Sequence, residues 1–434
     1  MRLRTRIQAR VMGTVASAGW ERFRQARGRL PRRLVGGPPI LHYFHQVDDP
    51  YSHLAVQCLS MLARRWRVDI VPQLVPPPAD AFKGDADRHP LWALADARDI
   101  APFYGVEAPW RAEPPDPVVV ARVNRILATQ GPGRFASAAT VLGRQLWGGN
   151  RFEEADLPSE ALGRARLAAG ARLRARLGHY MGAMFHFEGD WYWGLDRLCH
   201  LEARLAREGL ARDGSAEPCV PRPVAEPLEG DASGVTLEVF PSLRSPYTAV
   251  SFRRTLEIAA RTGVRLSLRP VMPMMMRGVP APRVKQLYIL SDAAREGRMS
   301  GQVIGRPVDP FGEPVRRALS LWNWAQGEGR GAEFLAEYLD AAWIEGLDIT
   351  TDAGIETVVG RAGLDWRAAR ERLGGTESDA VLEDNVQAML GAGLWGVPSY
   401  RVSGGARDDA FACWGQDRLW RVETEIARRA LAST

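Results

Sequence analysis

Two stretches 196 residues apart repeat one another, and that repeat limits the fold more than any other feature of the sequence. Asp49-Pro-Tyr-Ser52 answers Ser245-Pro-Tyr-Thr248. At the same offset Trp92-Ala-Leu-Ala-Asp96 answers Tyr288-Ile-Leu-Ser-Asp292, and Trp147 answers Trp343. Later, Gly182-Ala-Met-Phe answers Gly396-Val-Pro-Ser399, and Trp193-Gly-Leu-Asp-Arg-Leu198 answers Trp414-Gly-Gln-Asp-Arg-Leu419. The offsets there grow to 214 and 221, so the first copy is shorter in its last helical stretch and its hairpin. Such a period is too long for a solenoid unit and predicts a whole domain in tandem. A chain of 434 residues has room for two cores of this size.

The element pattern within each copy predicts an α/β architecture. Pro39 to His45 reads as a buried strand, a helix follows Asp49-Pro50 as far as about Arg65, and Val68 to Val75 is a second strand. Helical periodicity fills about 90–180. A hairpin turning at Glu188-Gly189 and a helix from Asp196 to about Glu208 close the copy. A β-α-β unit requires a right-handed crossover and a parallel pair, and an added hairpin makes the sheet mixed. This is the thioredoxin layout with a helical domain inserted between its halves. The expected division is a basic arm at 1–37, a first thioredoxin-like domain at 38–207, and a Pro-rich linker at 208–233. A second such domain covers 234–434, with its helical insertion at about 283–388.

Charge is unevenly spread. The arm holds ten Arg against Glu21 alone, so it carries +9 of a net +6 and the remainder of the chain sums to −3. A body of that sign argues against nucleic acid as a partner. The arm is expected to be a solvated, frayed terminus, or to lie weakly on an anionic membrane face or an acidic partner. No apolar run approaches membrane-spanning length. Cys58, Cys199, Cys219 and Cys413 form no C-x-x-C and no close pair, which points to a reducing, cytoplasmic setting and no structural zinc. His42 and His45 differ in strand parity and make a poor ligand pair, so no metal is expected.

The second copy carries the chemistry. Val235, Leu237 and Val239 alternate as a strand does, and Pro246 suits the first turn of a helix. Ser245 then falls at the helix start, among free backbone N–H groups and the positive end of the dipole. A hydroxyl there can stabilise a thiolate or another anion, or can serve as a plain N-cap.

These residues resemble the DsbA-like thioredoxin superfamily, and within it the 2-hydroxychromene-2-carboxylate isomerases and kappa-class glutathione transferases. In the second copy the resemblance spans roughly 234–430. It rests on Ser245-Pro-Tyr-Thr248, Lys285-Gln-Leu-Tyr288 with Asp292, Ala342-Trp343 with Gly346 and Asp348, Gly396-Val-Pro-Ser399 and Trp414-Gly-Gln-Asp-Arg-Leu419. It implies a glutathione cosubstrate whose sulfur is held by Ser245. Val397-Pro398 would be a cis pair offering backbone to the tripeptide. Gln416 and Asp417 would receive the γ-glutamyl end, and Lys285 the glycyl carboxylate. Tyr247, Met274, Met275 and Trp414 would line the pocket of a small aromatic electrophile.

Two departures stand out. Met272-Pro-Met-Met-Met276 occupies the loop where relatives often carry an Asn. In the first copy Asp49 stands in the serine's place and Met184 in the proline's, so that copy is expected to be degenerate, kept for packing, regulation or a pseudo-dimer. The implied assembly is a monomer with pseudo-dimeric halves or a homodimer. A dithiol oxidoreductase is disfavoured because neither motif contains cysteine. A family member without redox cysteines, acting as a non-catalytic binding or scaffold protein, is the alternative.

Overall fold

A computed structural model describes residues 3–149 and 157–430; Arg2 of the arm, residues 150–156 of the first helical stretch and the last four residues lie outside it. The chain divides into two compact units, Arg22–Pro223, and Met1–Glu21 together with Val224–Thr434.

The arm is helical rather than frayed: α1 runs Leu3–Ala16 and α2 runs Ala18–Val35. Counting its charges hides an apolar stripe on α1. Ala9 and Ala16 are buried in the helical core of the unit formed with 224–434, and Met12 and Val15 pack against the same core. Small side chains there allow close approach. The Gln8 amide donates to Asp309 (3.1 Å) and Arg298 donates to the Ala16 carbonyl (2.8 Å). Glu21 pairs with Arg295 and Arg298.

In the unit Arg22–Pro223, β1 (Ile40–His45) leads through α3 (Pro50–Arg65) to β2 (Asp69–Leu74). After the helical stretch, β3 (Met184–Phe187) and β4 (Asp190–Trp193) form the hairpin, and α4 (Leu198–Arg207) closes the unit. The sheet order is β2-β1-β3-β4, with β1/β2 parallel and the rest antiparallel. Glu188 and Gly189 both have positive φ, the left-handed pair a two-residue hairpin needs. The strand-parity reading of the histidines holds: His42 faces His186 across β3, whereas the Tyr43 hydroxyl lies 3.1 Å from His45 Nδ1.

The other unit builds the same order from later residues. β5 (Val235–Phe240), α5 (Pro246–Thr262) and β6 (Arg265–Leu268) form the parallel crossover. The helical insertion begins with α6 (Arg283–Ser300), and β7 (Ser399–Gly404), β8 (Arg407–Trp414) and α7 (Leu419–Arg429) complete the unit. The resulting sheet is β6-β5-β7-β8, the mixed sheet expected.

Its core has two parts. Leu237, Val239, Tyr400, Val402, Val422 and Ile426 fill one side of the sheet. Ile258 and Ala259 of α5 belong to this part, whereas Ala249, Val250 and Phe252 of the same helix join Trp322, Phe334, Leu335, Ile355 and Val358 of the insertion in the second. The insertion therefore braces the helix whose N-terminus Ser245 caps.

Candidate active site

Ser245 does what its position dictates. Its φ and ψ are extended, and Pro246 starts the helix with no N–H to satisfy. Its Oγ accepts from the Thr248 N–H at 3.1 Å, an N-cap bond. The same oxygen directs its own proton toward the Val397 carbonyl at 3.4 Å. That second bond is long for O–H···O, so the proton is held weakly and can be redirected. Ser245 is 8% exposed, a nearly buried position.

The loop across from it is held from three directions. Val397–Pro398 is a cis peptide. The Ser399 hydroxyl donates to the Gly396 carbonyl (2.8 Å), and the Gly415 N–H donates to the Pro398 carbonyl (2.8 Å). Arg277, from the Met-rich segment, donates to the Trp395 carbonyl at 2.9 Å. Gly396 must be glycine: a Cβ there would lie 2.0 Å from the Trp414 indole. Trp414 and Trp395 have ring centroids 5.2 Å apart. This close, tilted packing fixes the loop beside Ser245.

A second polar chain runs behind the site. The Tyr247 hydroxyl donates to Asp292, buried on α6, at 2.8 Å. One helical turn on, Glu296 accepts from the Gln416 amide at 2.9 Å, and that amide also bonds Asp417. Asp292 and Glu296 lie on one face of α6 and tie α5 to the turn that opens α7. Arg244, the residue before Ser245, is neutralised by two hydrogen bonds to Asp309 and also reaches Met275 Sδ at 3.2 Å. Met272 and Met276 pack into the helical core, whereas Met274 and Met275 keep part of their surface. Lys285 stands on the first turn of α6, partly buried, and burial pulls its ammonium down to about 8.

The structure thus joins Ser245 to Val397-Pro398, and Trp414 to the same loop. It joins Gln416 to Asp417, and Met275 to the residue preceding Ser245. Lys285 and Met274 are carried on elements bordering this set. Reading by residue type passes over Arg277 and Glu296. Arg277 closes a run of three methionines as its lone charge, and Glu296 falls one turn after Asp292; both signals are present in the sequence.

The corresponding place in the other unit is filled differently. Asp49 caps α3, accepting from the Tyr51 N–H (3.3 Å), the Ser52 N–H (3.0 Å) and the Ser52 hydroxyl (2.7 Å). Burial raises its carboxyl to about 6. Ser52, fully buried, accepts from Gln46 N–H and Ala183 N–H, the latter at 2.9 Å. Met184 begins β3, whereas in the other unit Pro398 precedes β7. The Tyr51 hydroxyl donates to Asp96 at 2.6 Å, matching Tyr247 and Asp292. Cys58 lies two turns into α3, and burial pushes its thiol up to about 12. Among the described residues no group of three or more His, Cys, Asp or Glu could hold a metal ion, and no helix is long and apolar enough to cross a membrane.

Residues 236–427 match the DSBA-like thioredoxin domain family, and this part of the chain is a DSBA-like thioredoxin domain. Among solved structures, 2-hydroxychromene-2-carboxylate isomerase is similar at 20% identity, over 44% of this chain and 95% of that one, with a TM-score of 0.38. The cytosolic disulfide reductase DsbM from Pseudomonas aeruginosa is similar at 21% identity, over 45% and 98%, with a TM-score of 0.35. A search of curated proteins finds no match.

Proposed function

We propose that the DSBA-like domain is a glutathione-dependent isomerase or transferase of the 2-hydroxychromene-2-carboxylate isomerase and kappa type. One observation carries the reading. The Ser245 hydroxyl sits on a helix N-terminus and points its proton at a weak acceptor beside a cis-proline loop. A thiolate placed there receives that proton as a hydrogen bond, while the N-terminus of α5 opposes its charge.

The residues present fit the tripeptide. Val397 offers backbone for strand-like pairing, Gln416 offers its amide carbonyl and Asp417 a carboxylate to the γ-glutamyl end, and Lys285 offers an ammonium to the glycyl carboxylate. Glutathione supplies the nucleophile, which adds to an electrophilic carbon conjugated to a carbonyl. In isomerisation it leaves again after rotation about the new single bond. The protein's part is to hold sulfur and electrophile in register and to favour the ionised thiol. Tyr247, Met274, Met275 and Trp414 would give the electrophile an apolar wall, with methionine adapting to its shape.

We read the unit Arg22–Pro223 as a duplicated copy that has lost this chemistry. The shared strand order and the matching Tyr–Asp pairs support duplication. Asp49 would oppose an anion where Ser245 would hold one. The test is calorimetric titration of the full chain with glutathione, joined to turnover of 2-hydroxychromene-2-carboxylate. Binding and turnover that Ser245→Ala cuts by well over about tenfold uphold the reading. Absence of binding moves the protein to the non-catalytic class.

A further inference from the structure

Over residues 22–35, helix α2 is built inside out. Its inward face is polar. Arg24 and Gln25 bond Asp190 at 2.8 and 2.7 Å, Arg29 pairs with Glu188 and Glu208, and Arg32 pairs with Glu188. Gly28 lies directly on the Glu188–Gly189 turn, where a Cβ would come within 2.3 Å of backbone. The opposite stripe is apolar. Phe23, Leu30 and Leu34 recur at spacings of seven and four, one side of an α-helix, and are 52%, 53% and 77% exposed. A helix of a globular protein ordinarily turns such a stripe inward.

The charges bordering the stripe are of one sign. Arg22, Arg27 and Arg33 are exposed, and residues 22–35 contain no Asp or Glu. Helix α1, taken by itself, repeats the arrangement. Leu3, Ile7 and Val11 are four residues apart and 74%, 55% and 56% exposed, among exposed Arg4, Arg6 and Arg10. Two helices of this composition show that the pattern is not one misplaced side chain.

We propose that α2 seats the protein on an anionic bilayer surface, lying in the plane of the interface. The acyl boundary receives Phe23, Leu30 and Leu34, and lipid phosphates receive Arg22, Arg27 and Arg33. A second copy of this chain is the poorer occupant, because a two-fold contact through this stripe would bring arginines against arginines. The inward ion pairs hold the helix by its other face, so the exposed stripe can meet lipid without unfolding the helix. The proposal stands apart from glutathione chemistry and survives its failure.

The full chain is mixed with vesicles of equal parts phosphatidylcholine and phosphatidylglycerol, or of phosphatidylcholine alone, and sedimented. Binding to the anionic vesicles is expected to be at least about tenfold tighter and to weaken as salt is added. The triple variant Phe23→Ser, Leu30→Ser, Leu34→Ser should lose at least about tenfold in binding, since three apolar side chains no longer enter the interface. A milder variant, Arg27→Gln with Arg33→Gln, keeps the stripe and should lose the preference for anionic lipid. The proposal is overturned if the full chain ignores both vesicles, or if the triple variant binds as tightly as the parent. It is equally overturned if the parent is a dimer that the triple variant dissociates while neither binds lipid.

Discussion

Removing one oxygen, in Ser245→Ala, tests the proposed chemistry most directly. Two bonds vanish: the cap from Thr248 N–H at 3.1 Å and the proton offered toward Val397 at 3.4 Å. Losing the cap costs about 1 kcal/mol of stability. A hydrogen bond to a charged group contributes about 1.5–3 kcal/mol, and one pKa unit is about 1.4 kcal/mol. The pKa of the bound glutathione thiol should therefore rise by about one to two units, and at a pH below that pKa its ionised fraction should fall by up to about ten- to hundredfold. Ser245→Asp provides the matched control, since it installs the Asp49 arrangement of the other copy. Aspartate caps as well as serine, but a carboxylate buried as Asp49 is carries a desolvation cost, so stability should fall at neutral pH and recover as pH drops below about 6, while thiolate binding is lost. The assay is ultraviolet difference absorbance of the bound thiolate against pH, with urea unfolding alongside. Binding of S-methylglutathione, which has no thiol proton, should survive Ser245→Ala. A bound thiol that titrates identically in parent and Ser245→Ala would refute the argument.

Other substitutions probe the supports. Gly396→Ala should cost about 1–3 kcal/mol in urea unfolding and weaken glutathione binding, because the new methyl lands on the Trp414 ring. Tyr247→Phe takes one hydrogen bond from buried Asp292 and should cost about 1–3 kcal/mol by the same measurement. In the unit Arg22–Pro223, burial holds His45, His53 and His186 near 3, 4 and 3. The unfolded chain binds those protons near 6.5, so stability should rise with pH from about 4 to 6.5, by about 1.4 kcal/mol per unit for each imidazole, and then level off. Asp49, raised to about 6, works against that rise over most of the window, up to about pH 6. Urea midpoints measured across this range should be less steep in His186→Phe; an unchanged slope would contradict burial as the cause. Replacing all four cysteines by alanine should leave glutathione turnover in place, since neither candidate position contains a thiol.

What the sequence discloses, and what it withholds, follows from the range of each interaction. Ser245 as an N-cap is a local matter: strand, hydroxyl, proline and helix lie within a few residues. The mixed sheets are legible because alternation and crossover rules act on short segments. That Asp49 puts a carboxylate at the cap of α3 is visible in one letter. The fate of the arm is not, because arginine counting says nothing of Ala9 and Ala16, whose partners come nearly three hundred residues later. Gln416 is a similar case. Its amide is engaged by Glu296, 120 residues earlier, and no periodicity announces a bond of that separation.

The placement of α1 has a consequence for biosynthesis. The helix leaves the ribosome about two hundred residues before the core that takes up Ala9 and Ala16, which begins beyond residue 224. At about 5–20 residues per second, the intervening two hundred residues take tens of seconds to appear. Throughout that interval the first helix has no native surface to rest on. The later-made unit is thus the one that must reach back for the earlier-made helix.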